Sequence, residues 1–124
     1  MAIEVTSVET GGVEVVAISG KIVGSAQSSA EFHELIRSLL AEGKRKFVVD
    51  LADTPWTNSL GVGMLMGAYS SVKNHDGEVV LANATDRIGD LLRVTRLDKV
   101  FEVFDSLDGA LKRLANNNDP PTAP

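Results

Sequence analysis

The chain has 124 residues, enough for one domain with a hydrophobic core of its own. Its hydrophobic fraction of 44% and charged fraction of 23% are ordinary for a globular protein, and a net charge of −5 argues against a nucleic-acid-binding surface, which is normally basic. The absence of cysteine excludes disulfides and thiolate chemistry. Because no segment is apolar over the length of a bilayer, we expect a soluble cytoplasmic domain that neither inserts into a membrane nor contacts nucleic acid directly.

The first elements in chain order form a predicted β-hairpin. Apolar and polar residues alternate from Ile3 to Val8, which is the pattern of a half-buried strand. Gly11-Gly12 supplies a tight turn, and the apolar residues from Val13 to Ile18 predict a second strand. Residues 19–24 are then expected to form a short extended link.

A helix and a buried strand follow the hairpin. The segment Ser25–Ala41 predicts a helix, because its apolar residues recur at intervals of about three and four and so share one face. The run Phe47–Leu51 is apolar without alternation, which predicts a central strand covered by helices on at least one side. The apolar face of this first helix comprises Phe32, Leu35, Ile36, Leu39 and Leu40.

A second helix is predicted from about Asn58 to Asn74. Proline cannot donate to a strand ladder, so Asp53-Thr54-Pro55 ends the preceding strand, and Asn58 or Ser59 is the natural N-cap. One helix face should pack on the sheet; the other is smooth, uncharged and rich in small residues. This second face is either an exposed partner surface or a contact with a neighbouring helix. The first face holds Val62, Leu65, Met66, Tyr69 and Val72, and the second holds Leu60, Met64, Gly67, Ala68 and Ser71.

The remaining elements complete an α/β domain. Strands and helices alternate to the end of the chain, so the later strands should be parallel to one another through right-handed crossovers. We expect a single domain over residues 1–115, a mixed sheet with an N-terminal hairpin and about four helices, and a disordered tail over residues 116–124. The predicted elements are a strand over 78–82, a helix capped by Thr85 or Asp86 and reaching Val94, a strand over 100–104 and a helix over 106–114.

Two groups of residues invite a chemical interpretation. Gly61, Gly63 and Gly67 form G-x-G-x-x-x-G after a strand, which leaves open a small nucleotide-binding enzyme. Close packing of the second helix is the favoured interpretation, because no acid follows the next strand to bind a ribose hydroxyl. Neither His33 nor His75 has other potential metal ligands at a suitable spacing in the sequence, and both side chains are expected to be solvated. No catalytic residue, metal or cofactor is predicted.

The strand end and helix start resemble the STAS family, which includes the bacterial anti-sigma factor antagonists. The family pattern is an apolar strand ending in Asp-Leu, a short turn, and Asp-Ser-Ser/Ala-Gly-Leu-Gly opening a helix. Asp50-Leu51 matches the strand end, and the segment Asn58 to Gly63 matches the helix start. The resemblance extends from about Ile3 to Leu114 and implies one STAS-like domain.

The resemblance also implies a function. In antagonists of this kind the serine matching Ser59 is phosphorylated by the anti-sigma factor, a serine kinase of the GHKL type; phosphorylation releases the partner and a serine phosphatase restores binding. The protein would be a binder and a substrate, not an enzyme, and a monomer or weak dimer. From the residues alone, the favoured interpretation of Ser59 is an N-cap with no other role, and it is the resemblance that reverses this preference. The implied partner-binding residues are Asn58, Ser59, Leu60, Gly61 and Met64, together with Lys21 and Trp56.

One residue departs from the family pattern. Asn58 stands where the phosphorylated antagonists usually carry Asp, so this chain lacks the carboxylate beside Ser59. Two alternatives therefore stay open: a constitutive binder, or a non-phosphorylated scaffold subunit of a stress-sensing complex or a lipid-transport ATPase.

Overall fold

A computed structural model describes residues 4–20, 26–55 and 57–116, which form one five-stranded sheet with helices on both faces. The strands lie in the sheet in chain order. They are β1 (Glu4–Thr10), β2 (Val13–Ser19), β3 (Lys46–Asp53), β4 (Glu78–Ala82) and β5 (Val103–Phe104). The helices are α1 (Ala26–Ala41), α2 (Ser59–Asn74), α3 (Asp86–Val94) and α4 (Leu107–Asn116), with a short 3-10 turn at Leu97–Lys99.

The strand directions confirm the predicted topology. β1 and β2 pair antiparallel across Gly11-Gly12, where both residues have positive φ values of 59° and 83° that glycine adopts without strain. The pairs β2–β3, β3–β4 and β4–β5 are all parallel. The carboxyl ends of these parallel strands therefore meet at one edge of the sheet, and α2 and α3 begin there.

Helices cover the two faces of the sheet unequally. Three helices pack on one face over the larger apolar core, and α4 covers a smaller cluster on the other face. This layered arrangement confirms that β3 is a central strand buried on both faces. The large core includes Phe32 and Ile36 of α1, Leu65 and Val72 of α2, Ile88 and Leu92 of α3, and Val49 and Leu51 of β3; the small one joins Val48 and Val80 to Ala110 and Leu114.

An ion cluster fixes the opposite edge of the sheet. The ammonium of Lys44 lies 3.0 Å from a carboxylate oxygen of Glu9 and 3.5 Å from a carboxylate oxygen of Glu14. Glu14 is buried, with 4% of its surface exposed. The hydrogen bond to Glu9, more than the neighbouring charge, raises the pKa of Lys44 above its usual value. The cluster ties the hairpin to the segment that follows α1.

The last strand is shorter than the sequence predicts. A strand was expected over residues 100–104, but the Val100 N–H donates to the Leu97 carbonyl at 3.0 Å and closes the 3-10 turn. Phe101 is 3% exposed and packs in the large core, so its burial comes from the turn and not from a strand. The last helix extends two residues past its expected end, to Asn116, and residues 117–124, with most of the expected tail, lie outside the described part of the chain.

Candidate functional site

The segment between β3 and α2 is anchored at its start by a buried threonine. Thr54 is fully buried, and its hydroxyl donates to the Ile18 carbonyl at 2.7 Å. The Gly20 N–H donates to the Asp53 carbonyl at 2.9 Å, which adds a second tie between the ends of β2 and β3. The chain therefore leaves the sheet from a fixed point on its way to α2.

Asn58 caps the amino terminus of α2. Its backbone is extended, with φ −121° and ψ −173°, and its side-chain oxygen accepts from the Gly61 N–H at 3.0 Å. Its carbonyl accepts from the Val62 N–H at 3.0 Å, which begins the helix ladder. Of the two predicted caps, Asn58 is the one used. The first turn of α2 contains no acidic residue, so the positive end of the helix dipole is not offset within the helix itself.

Ser59 is the first residue of α2 and is exposed to solvent. Leu60 beside it is 61% exposed, whereas Gly61, which has no side chain, is buried. A hydroxyl and an apolar side chain are thus presented together at the positive end of a helix. Free N–H groups and the dipole at such a position favour an added negative charge.

Beyond Leu60, the second face of α2 packs against α1, which decides between the two alternatives that the sequence left open. Met64 and Ala68 are each 1% exposed and belong to the large core. The ring of His33 on α1 lies against Gly67, where an added Cβ would come within 2.3 Å of its Cε1 atom. A neighbouring helix is therefore the correct alternative for this face, and Met64 presents no side chain to a partner. His33 is also only half exposed, which corrects the expectation that it is solvated.

Thr85 joins the start of α3 to the segment that precedes α2. Its side-chain oxygen accepts from the Ile88 N–H at 3.3 Å and so caps α3. The same hydroxyl donates to the Pro55 carbonyl at 2.9 Å, across 30 residues of sequence. The segment leading to Ser59 is therefore held against the start of the next helix.

A second tie fixes the base of α3. The Asn83 side-chain amide donates to Asp50 Oδ1 at 3.1 Å, and the Ala52 N–H donates to the same oxygen at 3.1 Å. Asn83 adopts a left-handed backbone with φ 61° and its N–H donates to the Phe104 carbonyl at 2.9 Å. Asp50, which the sequence offered only as the end of a strand, thus orders the turn from β4 into α3.

An open groove lies between Thr57, just before α2, and one side of α3. It measures about 280 Å³ and is lined by Thr57, Arg87, Asp90, Leu91 and Val94. Val94 is 80% exposed, the most exposed of the large apolar residues in the described chain. The sequence analysis assigned Val94 only to the end of a helix.

The structure thus brings together only part of the predicted site. Asn58, Ser59, Leu60 and Gly61 form one turn, in which Ser59 and Leu60 are exposed and Gly61 is buried, whereas Lys21 and Trp56 lie outside the described residues. The glycine run lies within α2 and not in a loop before it, so these glycines do not form a phosphate-binding turn. His75 is exposed at the end of α2.

Two further findings concern only the described residues. They contain no group of three or more His, Cys, Asp or Glu side chains placed to hold a metal ion. None of their helices combines the length and the apolar character required to cross a membrane.

Comparison with known proteins matches the STAS domain family model to residues 4–110. The anti-sigma-B factor antagonist of Staphylococcus aureus is 27% identical over 78 residues, which cover 63% of this chain and 72% of that protein.

Two solved structures show that the fold is shared. An anti-sigma factor antagonist from Mycobacterium paratuberculosis superimposes with a TM-score of 0.77 and 23% identity, over 90% of this chain and 93% of that one. The Bacillus cell fate determinant SpoIIAA in its phosphorylated form superimposes with a TM-score of 0.68 and 15% identity, over 91% and 99% of the two chains.

Proposed function

The chain belongs to the STAS domain family, and we propose that it acts as an anti-sigma factor antagonist. The similarity to proteins that carry this name supports the proposal, since a Staphylococcus aureus antagonist aligns with most of the domain. The exposure of Ser59 and Leu60 at the start of α2 is the observation on which the proposal depends. The protein acts by binding, in the cytoplasm, and it is regulated through that same turn.

Ser59 is the proposed regulatory residue. Phosphorylation adds about −1.5 to −2 charges, and the positive end of α2 accommodates them without unfolding the helix. A partner that had to desolvate this turn would be repelled, because burying an unpaired charge is costly. The Bacillus protein SpoIIAA, which shares this fold, has a phosphorylated form, and this supports phosphorylation as the means of regulation.

Asn58 is compatible with this proposal despite the missing carboxylate. Its side-chain oxygen is engaged by the Gly61 N–H at 3.0 Å, which fixes the turn that presents Ser59. An aspartate in the same position would direct an oxygen at the same amide. The proposed role of residue 58 is therefore to position the serine, and an amide oxygen performs it as well as a carboxylate. Positioning provides much of the catalysis in phosphoryl transfer.

The proposed contact surface begins at Ser59 and Leu60 and continues into the groove beside Val94. Leu60 and Val94 are 61% and 80% exposed, and an apolar side chain of a partner would bury them. The partner is a serine kinase of the GHKL type that sequesters a sigma factor. A serine phosphatase returns the phosphorylated protein to its binding form.

A phosphorylation assay tests the proposal. The full chain is incubated with candidate anti-sigma factors and ATP, and intact mass is measured for the wild type, Ser59→Ala and the control Ser70→Ala, which alters another exposed serine of α2. We expect one phosphate on the wild type and on Ser70→Ala and none on Ser59→Ala.

The remaining outcomes separate the alternatives. Phosphate on Ser59→Ala contradicts the assignment of Ser59. Tight binding that persists with ATP and without phosphate identifies a constitutive binder. Recovery of transporter or stress-complex subunits, with no kinase among the partners, identifies a scaffold subunit.

A further inference from the structure

The hydroxyl of Thr85 bonds to two parts of the fold at once, α3 and the segment between β3 and α2. Its oxygen accepts from the Ile88 N–H and its proton goes to the Pro55 carbonyl, at 3.3 Å and 2.9 Å. A hydroxyl has one proton to donate, so the bond to Pro55 uses its whole donor capacity. The start of α3 is therefore linked to the segment between β3 and α2 by a single rotatable group.

Pro55 lies in the segment between β3 and α2, here called the connecting segment, and its carbonyl is the group that accepts the Thr85 proton. Proline has no N–H, so its backbone can be held only through its carbonyl. Pro55 is exposed, and it lies between the buried anchor at Thr54 and the cap at Asn58. The bond from Thr85 therefore fixes the middle of the segment that carries the chain from β3 to Ser59.

The group that holds Pro55 is itself held by the sheet. The turn before Thr85 is fixed by the bonds of Asn83 to Asp50 and to the Phe104 carbonyl. Displacement of the connecting segment would have to break the Thr85 bond or move the start of α3 against this base. The link is consequently stiff on the α3 side, and the connecting segment is the side that moves when the bond is broken.

We propose that Thr85 is a positioning residue for Ser59, which sets the conformation of the Ser59 turn through Pro55 and couples that turn to the start of α3. The significance given to Ser59 rests on the proposed function. The coupling itself requires no partner protein and no phosphate. Loss of the Thr85 donor would therefore loosen the first turn of α2. Because coupling between two sites is reciprocal, a charge added at Ser59 would in turn change the stability of the cap of α3.

Three substitutions separate the two bonds of Thr85. Thr85→Ser keeps the cap and the donor; Thr85→Asp keeps an acceptor for the Ile88 N–H but has no proton to donate at neutral pH; Thr85→Val loses both. Amide hydrogen exchange is measured by NMR for Ile88 and Gly61, with Val49 of β3 as the reporter of global unfolding.

We expect the Gly61 amide to exchange about 2- to 10-fold faster in Thr85→Asp and Thr85→Val, the range set by the net free energy of one hydrogen bond, and unchanged in Thr85→Ser. The Ile88 amide should exchange faster only in Thr85→Val.

Two results would overturn the proposal. One is a Gly61 exchange rate in Thr85→Asp equal to that of the wild type, which would leave Thr85 as a cap of α3 alone. The other is an increase at Gly61 matched by an equal increase at Val49, which would mean global destabilisation. The measurement uses neither kinase nor partner, so a failure of the proposed function and a failure of this coupling are observed separately.

Discussion

The imidazole ring of His33 on α1 occupies the space that a side chain at Gly67 on α2 would need. An ideal Cβ at Gly67 would lie 2.3 Å from His33 Cε1 and 2.4 Å from Nε2, far inside any normal contact. The two helices approach closely because position 67 has no side chain. This contact explains why the small-residue face of α2 is buried and not available to a partner.

Gly67→Ala should therefore gain less stability than a glycine-to-alanine change normally gains in a helix. Alanine is the better helix former by about 1 kcal/mol, but its Cβ must displace the outer atoms of the His33 ring, which end a half-buried side chain that can turn aside. Moving this side chain off its rotamer costs about 0.5–1.5 kcal/mol, so we expect the free energy of unfolding to change by less than about 0.5 kcal/mol. Urea denaturation of the purified chain measures it.

Gly63 in the same helix provides the matched control. An added Cβ there meets no atom within 4 Å, so Gly63→Ala should stabilise the domain by about 1 kcal/mol. In a His33→Ala background, Gly67→Ala should become stabilising by a similar amount, because the obstructing ring is gone. The same effect of Gly67→Ala in both backgrounds would show that His33 does not define this contact.

The sequence predicts which faces of α2 are apolar but not what covers each of them. Periodicity gives the angle between side chains about one helix axis, and both faces of α2 are apolar enough to be buried. The position of α1 decides the question, and it depends on long-range packing. The last strand shows the same limit. An apolar residue such as Phe101 is expected to be buried both in a strand and beside a 3-10 turn, so the sequence pattern does not distinguish the two.

Local chemistry made the start of α2 easier to predict. Side-chain type and position narrow each cap to two neighbours, Asn58 or Ser59 and Thr85 or Asp86, and the first of each pair is the one used. The hydroxyl of Thr85 also bonds to Pro55, which no sequence pattern indicates, because that contact depends on the parallel arrangement of β3 and β4. The residues that present Ser59 were thus predictable, whereas the bond that holds the connecting segment was not.

Leu60 and Met64 should differ sharply when each is changed to alanine. Leu60 is 61% exposed, so Leu60→Ala should change the free energy of unfolding by less than about 0.5 kcal/mol. Met64 is 1% exposed in the large core, so Met64→Ala should cost about 2–5 kcal/mol. Denaturation curves of the two variants measure both values.

Binding to the anti-sigma factor identified by phosphorylation should rank these variants in the opposite order. Leu60→Ala should weaken it by more than about tenfold, as truncation of a central apolar contact does. Met64→Ala should bind normally under conditions in which it remains folded. Unchanged binding by Leu60→Ala would remove this residue from the proposed contact surface.

Asn58 should be replaceable by aspartate with a gain in stability. Asn58→Ala removes the acceptor for the Gly61 N–H and should cost about 1 kcal/mol. Asn58→Asp keeps the acceptor and adds a charge to a helix terminus whose first turn holds no acid, which should gain about 0.3–1 kcal/mol at pH 7. This gain should disappear as the pH falls below about 4, where a carboxylate becomes protonated. Urea denaturation at pH 7 and pH 3 measures the difference.

The other end of the same helix supplies the control for this charge effect. Asn74 is the last residue of α2 and is exposed, so Asn74→Asp places an equal charge at the negative end of the dipole. We expect a loss of about 0.3–1 kcal/mol at pH 7. Stabilisation by both aspartates, or by neither, would contradict a dipole-based explanation and weaken the case that this turn tolerates a phosphate.

Thr54→Val should loosen the sheet edge from which the Ser59 segment departs. The β2–β3 register shifts between Ala17 and Ser19, so the Ile18 carbonyl at this irregularity accepts the Thr54 hydroxyl proton at 2.7 Å. Valine keeps the shape of the buried side chain but leaves that carbonyl without its donor, which should cost about 1–3 kcal/mol. Thr95→Val is the matched control, because the Thr95 hydroxyl donates to the Leu91 carbonyl on the exposed end of α3 and its loss should cost less than about 0.5 kcal/mol. Equal denaturation midpoints for the two variants would show that the bond to Ile18 adds nothing to the anchor, and the starting point of the Ser59 segment would then be fixed by apolar packing alone.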